Sequence, residues 1–328
     1  MAARAWCRVD LAGGTLDIWP LGVLQPGAST VNVAIGLAAR VTVRPRSRVF
    51  RVRQGSGLVE GRTPADLASH PEGRLVGTVA EALDLPPVEV AITTESPRGG
   101  GLGASSAVTV ALIAAAETLL GRPPSPPARS ATLARDLEAR MMGLPTGTQD
   151  HWAALLGGAL AIAHRPGGEE VRRLDADLDG LGRHLLVVFS GQSHLSAASN
   201  WLMVRRRLDG DPESAALLRG IAEVAAQVPE ALEGRDYEKL GGLMRQEWSL
   251  RRHLAEEITT PAVESLLRLA DSVGAWGGKV CGAGGGGCVA VLGPAEKRET
   301  IARALAEAGG QVLAARPTGE PLAVEWIR

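Results

Sequence analysis

The segment Pro97-Arg98-Gly99-Gly100-Gly101-Leu102-Gly103-Ala104-Ser105-Ser106-Ala107 constrains the fold more than any other part of the chain. Before it, Val88 to Thr94 reads as a strand, and after it Ala104 to Leu120 is apolar and strongly helical. Glycines there permit positive φ and keep side chains out of the way of a ligand. The first N–H groups of the helix have no partner within it, and the helix dipole adds partial positive charge, so the turn favours an anion. Ser105 and Ser106 add hydroxyls suited to a phosphate or a magnesium ion. No Gly-Lys-Ser/Thr follows, so this is not a Walker loop. Gly99, Gly101 and Ala104 fit a looser dinucleotide-binding spacing, but the region that should then carry an acid is the proline-rich stretch Arg122 to Pro127. A glycine turn that merely caps a buried helix is the plain structural alternative.

Three more segments share the pattern. Arg8-Val9-Asp10-Leu11-Ala12-Gly13-Gly14-Thr15-Leu16-Asp17 is a strand running into a tight glycine turn that presents an acid. Gly143-Leu144-Pro145-Thr146-Gly147-Thr148-Gln149-Asp150-His151 lies near the middle, and Lys279-Val280-Cys281-Gly282-Ala283-Gly284-Gly285-Gly286-Gly287-Cys288 near the end. Four consecutive glycines cost conformational entropy, which close approach of backbone to a ligand would justify; a flexible loop is the alternative.

Between these segments, strand patterns fall on Trp6 to Leu11, Thr30 to Val43, Arg48 to Arg53, Ala159 to His164, His184 to Phe189, Val289 to Leu292 and Leu322 to Ile327. Helical spacing covers Arg74 to Leu85, Ser130 to Met142 with Ser130 as N-cap, Ser196 to Leu208, Ala215 to Val228, Tyr237 to Glu257, Pro261 to Val273 and Lys297 to Ala308. The mixture predicts an α+β fold, with a division near residue 180.

Composition narrows the function. Of 328 residues, 45% are hydrophobic and 22% charged, ordinary for a globular chain, and the formal net charge of −1 gives no reason to expect nucleic acid or membrane partners. The three cysteines, Cys7, Cys281 and Cys288, suit a reducing cytoplasm, and a cytoplasmic location is expected. Met1 to Asp10 lacks the apolar run of a signal peptide, and Ala107 to Leu120 is too short to span a bilayer. The scattered histidines offer no zinc-ligand spacing.

In their order the four segments resemble the GHMP kinases (galactokinase, homoserine kinase, mevalonate kinase and phosphomevalonate kinase), most nearly the branch with heptose 7-phosphate kinase and fucokinase-like enzymes. That branch shows Gly-Gly-Gly-Thr-Asp near the start, Gly-Leu-Gly-Thr-Ser-Ser-Ala in the phosphate loop, Gly-Lys-Gln-Asp-Gln in the middle and Gly-Ala-Gly-Gly-Gly-Gly near the end. The likeness runs from Arg8 to Val291 and includes Arg245-Gln246-Glu247-Trp248. This chain departs from it at Thr15, Leu16, Thr148 and His151, positions expected near the substrate.

The resemblance implies a two-domain fold. Residues 1–180 would form an ATP-binding domain like ribosomal protein S5 domain 2, and residues 181–328 a ferredoxin-like domain, with the active site between them. It implies transfer of the γ-phosphate of ATP to a hydroxyl, the anomeric one, of a sugar or sugar phosphate, with Mg2+. Pro97, Gly99, Gly100, Gly101, Leu102, Gly103, Ala104, Ser105 and Ser106 would cradle the phosphates. Ser106 and Glu138 would hold the metal. Asp150 would be the base or orienting group and Arg8 its basic neighbour. Gly13, Gly14, Asp17, Gly147, Gly284, Gly285 and Gly286 would face the substrate. A homodimer is compatible with this picture. The alternatives are a kinase of a non-sugar alcohol, a non-catalytic sensor of ATP and sugar, and a dinucleotide-dependent oxidoreductase.

Overall fold

The first strand, Ala2–Ala12, is the seam of the structure, because it pairs antiparallel with both the long strand Ser29–Pro45 and the late strand Ala323–Glu325. The computed structural model describes residues 1–192, 197–282 and 284–327. Ser196 and Ala283 of the sequence analysis therefore lie outside the described residues.

Two sheets result. The larger has eight strands, ordered Ala323–Glu325, Ala2–Ala12, Ser29–Pro45, Val88–Thr94, Phe50–Gln54 and Gly57–Gly61. Ala159–Arg165 pairs with the first part of Ser29–Pro45, and Gly168–Arg173 pairs with Ala159–Arg165. Among the described residues only the Phe50–Gln54 pairing with Val88–Thr94 is parallel. The smaller sheet is antiparallel, ordered Gln311–Val312, Leu185–Phe189, Cys288–Leu292 and Gly277–Val280.

The helix Ala104–Leu119 is buried from Ser106 to Ile113, as expected of a helix apolar all round, and packs against the larger sheet. One core cluster joins that helix to Val41, Val90 and Ile92 of the sheet. A second spans both sheets, uniting Cys7, Val9 and Leu11 with Leu185, Val187, Cys288 and Ala290. A third lies on the smaller sheet beneath the helices Pro261–Ser272 and Arg298–Glu307.

Most predicted elements lie within a few residues of where the sequence puts them. The helix around Ser130 starts earlier, at Pro127, because Pro occupies its first position without losing a bond; Pro126 is the N-cap and Ser130 lies inside the helix. Tyr237 to Glu257 is not one helix. It ends at Arg251, and a short 3-10 turn, Glu256–Ile258, follows. Ala215 to Val228 likewise divides into Pro212–Ala225 and Val228–Glu233, the second opening with Pro229 in its first turn. Among the described residues no helix is long and apolar enough to cross a membrane.

Candidate active site

The glycine turn lies where the helix Ala104–Leu119 meets the glycine segment that precedes Cys288–Leu292 of the smaller sheet. The first intrahelical bond of Ala104–Leu119 runs from the Ala107 N–H to the Gly103 carbonyl (2.9 Å), leaving the N–H groups of Ala104, Ser105 and Ser106 without a partner in the helix. Gly103 has φ of +74°, and a β-carbon there would sit 3.0 Å from the Asp150 carboxylate. The phosphate-loop candidate and the candidate base are thus in contact. Gly100 abuts Cys288, Gly101 abuts Cys281 and Gly282, and Gly99 and Gly100 abut Gly287. The last glycine segment therefore closes on the first, and the Cys288 N–H donates to the Gly100 carbonyl (2.9 Å). Pro97 precedes the turn, and its carbonyl accepts the Gly100 N–H at 3.0 Å. Leu102 is buried in the shared core, and its carbonyl accepts the Arg8 N–H at 2.9 Å.

Asp150 is the second residue of the helix Gln149–Leu156. Arg8, only 3% exposed, donates from Nε to Asp150 Oδ1 at 2.6 Å and from Nη1 to the Gly101 carbonyl at 2.6 Å. A single guanidinium thereby ties the acid to the turn. Asp150, Arg8, Thr15, Asp17, Gly147, Arg251 and Gly282 line one cavity of about 90 Å3.

Asp17 sits beside this acid. The Gln149 N–H donates to its carboxylate at 3.2 Å. Burial, and then the nearby Asp150 charge, push its pKa up to about 6. A β-carbon on Gly147 would lie 1.7 Å from Asp17 Oδ2, so only glycine lets the middle segment close over this carboxylate. Gly13 turns the chain against the Ser29 carbonyl, and Gly14 lies against Asp10 and Arg251. Gly284 and Gly285 lie against Ile258, and Gly286 against Gln192.

Glu138, on the helix Pro127–Met142, is 5% exposed. Ser106 Oγ donates to its Oε2 (2.9 Å) and Thr109 Oγ1 to its Oε1 (3.0 Å). A serine hydroxyl and a carboxylate are hard oxygen donors of the kind magnesium takes, so Ser106 and Glu138 suit that ion by donor type. His151 Nε2 approaches Glu138 Oε2 to 3.1 Å without the alignment of a hydrogen bond. Burial opposes charge on that imidazole, yet the Glu138 carboxylate outweighs it and raises its pKa.

The departures from the family pattern land in different places. Thr15 lines the small cavity, and its buried hydroxyl has no partner among the described residues. Leu16 is core, Thr148 donates to Glu169 (3.1 Å), and His151 faces Glu138 rather than the cavity.

Sequence reasoning missed a buried charge cluster behind the cavity. Arg251 donates to Asp10 (2.8 Å) and to the Gly282 carbonyl, while Lys279 reaches Asp10 (3.0 Å) and Glu247 (2.9 Å). Burial of Asp10 favours its neutral acid, but Lys279 and Arg251 overcome this and hold its pKa below the usual range, whereas burial raises that of Glu247. The available signals were an aspartate in an apolar strand and a Glu–Arg pair one helical turn apart.

The family model described as GHMP kinases N terminal domain matches residues 73–158, and that described as GHMP kinases C terminal matches residues 229–311. A mevalonate kinase of Pyrococcus abyssi is 32% identical over 247 residues, covering 74% of this chain and 70% of the relative. A D-glycero-alpha-D-manno-heptose 7-phosphate kinase of Campylobacter jejuni is 26% identical, covering 67% of this chain and 65% of the relative. Among solved structures, Lactococcus lactis galactokinase complexed with galactose superposes with a TM-score of 0.80 at 14% identity, covering 98% of this chain and 94% of that one. With a relative this similar over most of both chains, and with the glycine turn, Arg8 and Asp150 assembled as one unit, this chain belongs to the GHMP kinase family and is a kinase.

Proposed function

We propose that the chain transfers the γ-phosphoryl group of ATP to a hydroxyl of a sugar or sugar phosphate, with residues 1–180 carrying the nucleotide and residues 181–328 closing the site. The observation that supports this best is the Arg8 guanidinium bound at once to Asp150 and to the Gly101 carbonyl of the glycine turn.

Phosphoryl transfer is mostly positioning and charge compensation. The N–H groups of Ala104, Ser105 and Ser106 receive the phosphates at the helix start. Ser106 and Glu138 would hold a magnesium ion, which when bound offsets phosphate charge. Asp17 and the unpartnered hydroxyl of Thr15 orient the acceptor. Asp150 takes the proton of the attacking hydroxyl as that oxygen bonds to phosphorus and the bond to ADP breaks. Arg8 compensates the charge that builds up beside it. The attacked hydroxyl is the anomeric one, whose higher acidity suits a carboxylate base; phosphorus–proton correlation of the product checks this by coupling to H1. Asp150 lines a cavity and keeps 24% of its side chain exposed, which favours catalysis over a sensor role.

A second reading, a hydroxy acid as acceptor, draws on the 32% identity to mevalonate kinase. The test is an ADP-release assay with ATP and Mg2+ against sugars, sugar phosphates and mevalonate. Release that depends on a sugar, and is lost in Asp150→Asn, is expected. Release with mevalonate alone overturns the sugar reading.

A further inference from the structure

The cavity at Asp150 is about 90 Å3, well below the roughly 300–1,000 Å3 of pockets that hold whole small molecules. It has room for the reacting end of an acceptor only. A second cavity of about 320 Å3 adjoins it, and Asp17 lines both. Its other walls include Trp19, Arg135, His164, Arg165 and Glu169. Trp19 is 65% exposed, and the same indole borders a further cavity of about 400 Å3. An open aromatic face beside a polar cavity offers a flat apolar surface on which something can lie.

The polar groups say what that something is. Both cations in the wall already have a carboxylate partner, and each keeps further N–H groups. Arg135 Nε is held by Asp136 (2.9 Å) and Arg165 Nε by Glu170 (2.8 Å). His164 is kept neutral at physiological pH, because burial lowers its pKa to about 4, and its Nε2 is 3.1 Å from Thr30 Oγ1. The acids also have acceptor sites to spare. Glu169 takes one hydrogen bond, from Thr148, and stands 4.0 Å from Arg135; Asp17 takes the Gln149 N–H. A carboxylate offers about four acceptor sites. The wall therefore mixes acceptors with guanidinium N–H donors, a combination that hydroxyl groups meet from both sides, and an added anion would face Asp17 and Glu169 and compete with Asp136 and Glu170 for the two guanidiniums.

We propose that this cavity is the subsite for the body of the acceptor, and that the acceptor is an uncharged, polyhydroxylated sugar. Its C–H face lies on Trp19, and its hydroxyls donate to Glu169 and Asp17. This rests on the kinase reading and narrows it, excluding acceptors that already bear a phosphate or a carboxylate at the far end.

The test is calorimetry on the full chain loaded with a non-hydrolysable ATP analogue and Mg2+. The titrants are free hexoses and heptoses, their terminal phosphates, and mevalonate, and the same panel is run for ADP release. A free sugar should bind most tightly. Trp19→Ala should weaken it roughly two- to ten-fold, the range expected for lost aromatic stacking, while Trp19→Phe retains most of the affinity. Glu169→Gln should weaken the sugar as well, and the affinity for the ATP analogue should hold in all three variants. Tighter binding of a phosphorylated sugar or of mevalonate, no binding of any free sugar, or unchanged sugar affinity in Trp19→Ala each overturns the subsite. Sugar binding without turnover of any acceptor instead overturns the kinase reading and leaves the subsite standing. Turnover of a sugar phosphate in preference to every free sugar does the reverse.

Discussion

Arg251, near the end of the helix Tyr237–Arg251, meets Asp10 of the first strand at 2.8 Å, with side chains only 2% and 0% exposed. The same guanidinium donates to the Gly282 carbonyl, so one side chain joins the first strand to the last glycine segment, at the back of the reacting cavity. Lys279 completes the arrangement from the smaller sheet, leaving two buried cations that share Asp10.

Removing Asp10 should therefore be costly. Asp10→Ala leaves Arg251 and Lys279 buried with Glu247 as the remaining acid, and loss of one partner from a buried ion pair costs about 3–5 kcal/mol. Equilibrium urea unfolding should show a loss of that size. A loss below about 1 kcal/mol would show that water reaches the cluster.

Asp150→Asn keeps the shape of the side chain and removes its basicity. Turnover should fall by about 10² to 10⁴, the usual contribution of a positioned base. ATP affinity by calorimetry should stay within a few-fold, because the contact of Arg8 with the Gly101 carbonyl remains. Near-normal turnover in a folded variant removes Asp150 from the mechanism.

Gly103→Ala tests the close approach of the turn to the acid. The new methyl would sit 3.0 Å from the Asp150 carboxylate at φ of +74°, strained for any L side chain. Both ATP affinity and kcat should fall, with kcat falling further, whereas thermal stability should change by only about 1–2 kcal/mol. Unaltered kinetics would make the loop a plain turn.

Asp17 provides a pH signature. Its folded pKa of about 6 is raised, so the ionised carboxylate opposes folding. That penalty is small below about pH 4, grows between about pH 4 and 6, and is complete above. Asp17→Asn removes it, so the variant should gain stability at pH 7.5, by up to about 3 kcal/mol, and gain little at pH 4. Denaturation midpoints at the two pH values check the sign. Acceptor KM should rise in the same variant, since the carboxylate that receives a hydroxyl is gone.

Much of this site was legible in the chain alone. Glycine runs beside strand and helix patterns are local signals, written within ten or so residues, and they located the turn at Gly99 to Ser106, the acid Asp150 and the acid Asp17. The helices were legible to within a turn wherever their apolar spacing was regular, as in Arg74–Leu83 and Pro261–Ser272. Short polar strands such as Gly57–Gly61 and Gly168–Arg173 were not, because they are edge hairpins whose pairing partners, not their own residues, hold them extended.

What the amino-acid order determined by itself was thus the chemistry on offer: a glycine turn at a helix start, serine hydroxyls at its edge, and two acids at glycine turns. Tertiary structure alone decided how these meet. Arg8 and Asp150 are 142 residues apart and Asp10 and Lys279 are 269 apart, and no local spacing encodes such contacts. They arise because burying the first strand brings the helix Gln149–Leu156 and the smaller sheet against it, and charges carried into that core must find opposite charges there. The open face of Trp19 and the paired cations beside it follow from the same packing, which left one cavity lined by two carboxylates and two guanidiniums.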